Sequence, residues 1–145
     1  MDLTYEPATA EDFDLLVELR IDAMKESLVA IGRFNRERSV ERFRSSYRAK
    51  ETKLIKCEDE LIGFIAVSEK EDCLYLGHLY IDPRFQSSGV GSWAIEKLIE
   101  ASEARGLPIR LGALRSSRSN NFYQRHGFVV THEDEFDIHY ERKSS

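Results

Sequence analysis

Residues 73–101 read CLYLGHLYIDPRFQSSGVGSWAIEKLIEA. Two periodicities meet in this stretch. From Cys73 to Ile81 the side chains are apolar, aromatic or otherwise suited to a pleated strand. Asp82-Pro83 ends the run, because proline has no N–H to give a ladder. From Val90 the period becomes helical: Ala94, Ile95, Leu98 and Ile99 share one face, and Glu96, Lys97 and Glu100 turn to water. Between strand and helix lies Gln86-Ser87-Ser88-Gly89-Val90-Gly91. Its two glycines let the backbone approach a ligand closely, and the first N–H groups of the helix point outward with the positive end of its dipole. The expectation is a phosphate or pyrophosphate seat made of main chain.

Three readings of that turn compete. Gly89-x-Gly91-x-x-Ala94 satisfies the dinucleotide fingerprint of a doubly wound fold. That fingerprint also requires a second βαβ half and an acidic residue about 20 positions on. Here the next strand ends at Arg115 and only a short remainder follows. A plain tight turn is the second reading, and a Gln-x-x-Gly-x-Gly loop is the third. The chain beyond residue 105 decides between them.

The bulk properties set limits. The chain has 145 residues, 41% hydrophobic and 32% charged, which suits one globular domain spanning 1–145. A formal net charge of −5 argues against non-specific binding to nucleic acid or a membrane surface. No apolar run approaches the length needed to span a bilayer, and Met1 to Ala10 has no signal-peptide character. A cytoplasmic location is expected. Cys57 and Cys73 lack CxxC spacing and read as small thiols in strands, with a disulfide between neighbouring strands as the alternative. His78, His126, His132 and His139 form no compact ligand pattern, so no metal is expected.

Taken in order, Leu3 to Pro7 is a short strand, and Thr9-Ala10-Glu11-Asp12 has the form of a helix start. The helix to about Ala30 turns Phe13, Leu16, Val17, Leu19, Ala23 and Met24 to the core. Gly32 ends it, Arg33 to Arg38 is a charged loop, and Ser39 opens a second helix with Val40, Phe43 and Tyr47 at helical spacing. Lys53–Cys57 and Leu61–Ser68 are strands joined by the polar turn Glu58-Asp59-Glu60. Gly63 within the second strand permits a bulge or close packing. Gly106-Leu107-Pro108 closes the central helix, and Ile109–Leu114 is a strand. Asn120 to His126 is a short helix stopped by Gly127, and two further strands start at Phe128 and Phe136.

The run Asn120-Asn121-Phe122-Tyr123-Gln124-Arg125-His126-Gly127-Phe128 resembles the second signature of the GNAT superfamily of acyl-CoA-dependent N-acetyltransferases, a Phe-Tyr-x-x-x-Gly-Phe run. The Gln86–Gly91 segment resembles the coenzyme A pyrophosphate loop of the same superfamily. The two lie one helix and one strand apart, as in that family, and the element order β-α-α-β-β-β-α-β-α-β-β matches it from Leu3 to Arg142. The resemblance implies an α/β (α+β) fold. Its twisted mixed sheet would have about seven strands, splayed at the central strand where pantetheine enters, with about four helices.

It also implies the chemistry: acetyl transfer from acetyl-CoA to a primary amine by direct attack in a ternary complex. Backbone N–H groups of Gln86, Ser87, Ser88, Gly89, Val90, Gly91 and Ser92 would take the pyrophosphate. Main-chain groups around Leu79, Tyr80 and Ile81 would pair with pantetheine like a partial extra strand. Tyr123 matches the position that carries the general acid for the leaving thiolate in many members, and its phenol is suited to donate. Packing beneath the coenzyme is the plainer role for that ring.

For the base, His78 has the suitable intrinsic pKa. A water ordered at the Tyr75 position, on the opposite face of the strand, and bulk water are the alternatives. Many relatives have asparagine six residues before the Phe-Tyr pair; here Ser116 stands there, and Asn120 is the candidate substitute for that pantetheine contact.

The resemblance leaves the acceptor unnamed and, since dimers are common in the family, a homodimer open. Helices between Ala10 and Lys50 and the hairpin between Val130 and His139 are expected to shape the acceptor side. Glu133, Asp134, Glu135 and Asp137 would either steer a cationic amine or keep a sheet edge soluble. The alternative function is a non-catalytic acyl-CoA-binding module, with a nucleotide-dependent oxidoreductase third.

Overall fold

Burial alternates along the strand Ile109–Leu114, and the strand Glu60–Glu69 is buried at four successive residues in its middle. The computed structural model describes residues 2–145, and the elements follow in the expected order: β1 (Leu3–Pro7), α1 (Phe13–Ala30), α2 (Arg36–Ser46), β2 (Thr52–Cys57), β3 (Glu60–Glu69), β4 (Leu74–Ile81), α3 (Val90–Arg105), β5 (Ile109–Leu114), α4 (Ser119–Arg125), β6 (Val129–Glu133) and β7 (Asp137–Arg142). The seven strands form one mixed sheet in the order β1-β2-β3-β4-β5-β7-β6. The β4–β5 ladder is parallel, whereas β1–β2, β2–β3, β5–β7 and β6–β7 are antiparallel. A doubly wound parallel sheet would need a succession of parallel ladders, which removes the dinucleotide-fold reading of Gly89-x-Gly91.

Contacts divide the chain into two compact units. One comprises the chain up to Ala66 together with His78–Gly91, and the other Val67–Gly77 with Ser92–Ser145. In the first, Leu16, Val17, Leu19 and Ile21 of α1 pack with Phe43 of α2 and with Ala8, Leu54 and Phe64. Met24 and Ala23, expected in that core, are only half-buried, and Ile21 takes the deeper place. The start of α1 is tightened by a 3-10 turn at Ala10–Asp12. There the Thr9 N–H donates to the Asp12 carboxylate at 2.8 Å.

Two starts differ from expectation. Helix α2 begins at Arg36 rather than Ser39, because Asn35 caps it: its side-chain oxygen accepts the Arg38 N–H at 2.9 Å. The β2–β3 hairpin turns on two residues rather than three, with Glu58 and Asp59 at φ 50° and 70°, so Glu60 already belongs to β3. Gly63 has the close neighbour its position suggested. A Cβ there would stand 2.7 Å from the Tyr80 carbonyl oxygen, so only glycine lets β3 run this close to β4.

In the second unit Ala94, Ile95 and Leu98 of α3 are buried, as are Ile109, Leu111, Tyr123, Phe128 and Tyr140. Ser102, fully buried on the same helix, donates its hydroxyl to the Leu107 carbonyl. Leu107 N–H returns to the Ser102 carbonyl at 3.2 Å, closing α3 around Gly106 at φ 67°. Among the described residues both cysteines are free thiols, Cys73 buried and Cys57 partly so. No helix of the described residues is long and apolar enough to cross a membrane.

Candidate active site

Strand β4 ends at Ile81, and its ladder to β5 carries two residue pairs, Leu74 with Ile109 and Tyr75 with Arg110. The chain then turns through Asp82, whose carboxylate caps the next turn by accepting the Arg84 N–H at 2.9 Å. Gln86, Ser87, Ser88 and Gly89 are exposed. Ser87 and Gly89 hold φ values of 64° and 91°, the left-handed region in which successive N–H groups can converge on an anion. No backbone carbonyl among the described residues takes up the N–H groups of Ser87, Ser88 or Gly89. Val90, buried to 1% exposure, anchors the start of the 16-residue α3. The turn thus combines free donors with the positive end of a helix dipole.

Two side chains of the turn are committed internally. Gln86 Nε2 donates to the Ile81 carbonyl at 3.1 Å, which ties the turn to the end of β4 and occupies one of the main-chain groups expected to meet pantetheine. Ser88 donates to the Phe85 carbonyl. Ser92, on the first turn of α3, bonds His126 Nε2 at 3.2 Å.

In the second unit, Tyr123 is 7% exposed. Its ring meets Phe122 at 5.3 Å, Phe128 at 5.6 Å and Tyr140 at 6.2 Å. Asn120 beside it is spent on the protein. Its amide NH2 donates to the carbonyls of Leu114 at 2.7 Å and Ser117 at 2.8 Å, and its oxygen accepts the Tyr140 hydroxyl at 2.8 Å. Both amide hydrogens are thus committed to the 114–117 turn, and a second lone pair on the Asn120 oxygen is the atom left for the expected pantetheine contact.

His78 lies in an aromatic pocket of the first unit, 5.2 Å from the Phe43 ring, 6.2 Å from Phe64 and 5.7 Å from Tyr80. Burial there, reinforced by the positive charge of Arg20, lowers its pKa from 6.5 to about 4. The ring is therefore neutral at pH 7. Its tautomer follows from Ser46, whose hydroxyl has helix carbonyls of Arg42 and Phe43 to donate to at 3.1 and 3.3 Å. With Ser46 donating to those carbonyls, its oxygen accepts His78 Nε2–H at 3.2 Å and Nδ1 carries the lone pair; the other tautomer reverses this bond. Tyr75, the other candidate on β4, has its pKa raised by burial and by Asp137, and Lys70 stands over its ring at 5.7 Å.

The depressed pKa has a measurable consequence. The unfolded chain binds the His78 proton first as pH falls, so this group removes stability between pH 6.5 and about 4 and has no effect above that window. The loss should approach roughly 3 kcal/mol at the acid end. Urea midpoints at about pH 7 and about pH 4 for the wild type and His78→Phe check this: the variant should lose that part of the acid sensitivity, and equal slopes would contradict it.

Among the acids of the hairpin, Glu133 and Asp134 have partners within the protein. Arg115 pairs with Glu133 at 2.6 Å and also reaches the Asp134 carbonyl at 2.8 Å. Asp134 accepts from the N–H groups of Phe136 and Asp137 and meets His139 Nε2 at 3.0 Å, contacts that hold its pKa down. The ligand atoms of Asp134, Asp137 and His139 lie within 4.8 Å of one another, yet Asp134 is already used to cap the turn. A groove of ≈ 580 Å³ beside β1 and β2 is lined by Tyr5, Lys50 and Lys53 among others and contains none of the motif residues.

One residue of this neighbourhood escaped the sequence reading. Arg20 sits on the apolar stripe of α1, four residues from both Leu16 and Met24, and its guanidinium lies 6.0 Å from the Phe43 ring and 5.8 Å from Tyr80. A charged residue inside a core stripe was the available signal.

Known proteins share this architecture. The profile of the acetyltransferase (GNAT) family matches residues 17–128. The fold resembles the PaiA N-acetyltransferase of Thermoplasma acidophilum, solved in complex with coenzyme A, at 21% identity over 99% of both chains with a TM-score of 0.81. An acetyltransferase of Thermus thermophilus is similar at 18% identity over 99% of this chain and 97% of its own, TM-score 0.75. A ribosomal-protein alanine N-acetyltransferase of Escherichia coli is similar at 17% identity over 99% and 95%, TM-score 0.74. No curated protein matches the sequence. At these identities the solved structures speak to the fold, while the profile covers most of the chain; the chain belongs to the acetyltransferase (GNAT) family.

Proposed function

We propose that residues 1–145 form one acetyltransferase domain that moves the acetyl group of acetyl-CoA to a primary amine by direct attack in a ternary complex. The observation that carries this is the exposed turn at Ser87–Gly91, with Ser87 and Gly89 at positive φ and leading into α3, at the position of the family's pyrophosphate loop, in a fold whose relative was solved with coenzyme A. Ser92 extends the same helix start, and the main chain of Leu79 to Ile81 supplies the strand edge for pantetheine, with Gln86 holding the turn against Ile81.

In the reaction, the amine nitrogen bonds to the thioester carbonyl carbon, the C–S bond breaks, and the amine gives up a proton while the thiolate gains one. Tyr123 is the proposed donor to the thiolate. His78 Nδ1 accepts a hydrogen bond from the amine and so aims the nitrogen lone pair. With a pKa near 4 it is too weak to strip a free ammonium ion, so the acceptor must enter neutral or lose its proton to water. Asn120 positions Tyr140 and the 114–117 turn, and its oxygen keeps a lone pair for the coenzyme.

The low exposure of Tyr123 favours a second reading, an acyl-CoA-binding module in which that ring only packs. Thiol release from acetyl-CoA across amines, amino acids, polyamines, aminoglycosides and N-terminal peptides separates the two. Acceptor-dependent release with formation of the acetylated amine is expected. Tight acetyl-CoA binding without release on any acceptor would leave the binding module.

A further inference from the structure

Two buried side-chain nitrogens lack a hydrogen-bond partner among the described residues, Arg20 Nε and His78 Nδ1. Buried polar atoms are nearly always satisfied, and a charged one is the most costly to leave unmet. These two share a location. Arg20 and His78 both stand against the rings of Phe43 and Tyr80, at 6.0 and 5.8 Å for the guanidinium carbon and 5.2 and 5.7 Å for the imidazole centre.

Arg20 is only half engaged. Its Nη1 donates to the Ser39 carbonyl at 3.3 Å. Its Nε–Nη2 edge meets no protein acceptor among the described residues, and no carboxylate of the described residues pairs with it. That edge offers two parallel N–H donors, the fork that takes both oxygens of a carboxylate. The second unmet atom is of the opposite kind. In the tautomer whose Nε2–H goes to Ser46, the unmet Nδ1 of His78 presents a lone pair that calls for a donor.

We infer that the acceptor is an amine that carries a carboxylate, held by that carboxylate on the Nε–Nη2 edge of Arg20 while its amine N–H donates to His78 Nδ1. The assignment rests on the proposed acetyl transfer for the role of the nitrogen, but the anion site stands on Arg20 alone. It also selects against polyamines and other purely cationic acceptors, which the Arg20 charge repels.

The test uses the full chain and matched pairs of acceptors, amino acids and their primary amides, with acetyl-CoA saturating. The carboxylate member of each pair should show kcat/KM about 10- to 100-fold higher, the range of a charge-assisted bidentate contact. Arg20→Gln should erase the difference by raising KM for the acid alone, with the thermal shift given by acetyl-CoA retained. Arg20→Lys, which keeps the charge and loses the fork, should recover only part of it. Equal use of acids and amides by the wild type, or a preference that survives Arg20→Gln, overturns the assignment.

A second readout is independent of turnover. The Arg20 Nε–H resonance should move on titration with N-acetylglycine, the smallest product-like carboxylate, and stay in place with N-acetylglycinamide. A response to neither, or to both alike, also overturns it. A carboxylate-specific response in a protein that turns over no amine would uphold the anion site and defeat the acetyl-transfer reading instead.

Discussion

Replacing Gly89 by valine is expected to abolish the stabilisation that acetyl-CoA gives the protein on heating. At a ligand concentration 100 times Kd that stabilisation is about 2.7 kcal/mol, so its absence is a large signal. The cause is backbone, not bulk. A Cβ on Gly89 meets nothing within 4 Å, but the residue holds φ +91°, where a β-branched residue is strained by about 1–3 kcal/mol. Valine relieves the strain by rotating the turn, and the N–H groups of Ser87 to Gly89 then point apart. The turn is exposed, so the unliganded protein should melt near the wild-type temperature. Gly91 is a weaker lever than its place in the motif suggests, since it belongs to α3 and is not among the positive-φ residues. A Gly89→Val protein with the full acetyl-CoA shift would put the pyrophosphate elsewhere.

Tyr123→Phe is expected to lower kcat by about 10²- to 10⁴-fold, the worth of a lost general acid, with acetyl-CoA affinity changed far less. Phenylalanine keeps the ring that Phe122, Phe128 and Tyr140 pack against, so a fall in kcat would report the hydroxyl and not the fold. Steady-state kinetics at saturating acetyl-CoA, with affinity measured separately, make the distinction. An unchanged kcat would assign Tyr123 to packing, the role that its 7% exposure also permits.

The order of elements was legible in the sequence because local signals agreed with one another, while the seven-stranded mixed sheet came from the family resemblance. Asp82-Pro83 ends β4, the period changes at Val90, and Gly106 and Gly127 stop helices where left-handed residues are needed. Boundaries failed where a single polar side chain sets them. Asn35 reads as one more residue of a charged loop until its bond to the Arg38 N–H is seen, and α2 then starts three residues early.

The site was less legible, for a related reason. A motif names residue types, but what each side chain does depends on which of its hydrogen bonds are already taken. Asn120 looks wholly available in sequence, yet in the fold it spends its amide hydrogens on the 114–117 turn and one oxygen lone pair on Tyr140. The four acids after Thr131 look like a free negative patch, yet Arg115 and His139 take up Glu133 and Asp134. Arg20 shows the converse: an ordinary helix arginine by composition, it is left in the fold with a buried, unbonded Nε.

The central claim is that coenzyme A lies on the free N–H groups at the start of α3, and amide-resolved titration with acetyl-CoA tests it most directly. The largest shifts in the ¹⁵N–¹H spectrum should fall on Ser87, Ser88, Gly89 and Gly91, saturate together, and vanish in Gly89→Val. Saturable shifts that leave those four amides in place, or the same four shifts persisting in Gly89→Val, would contradict it.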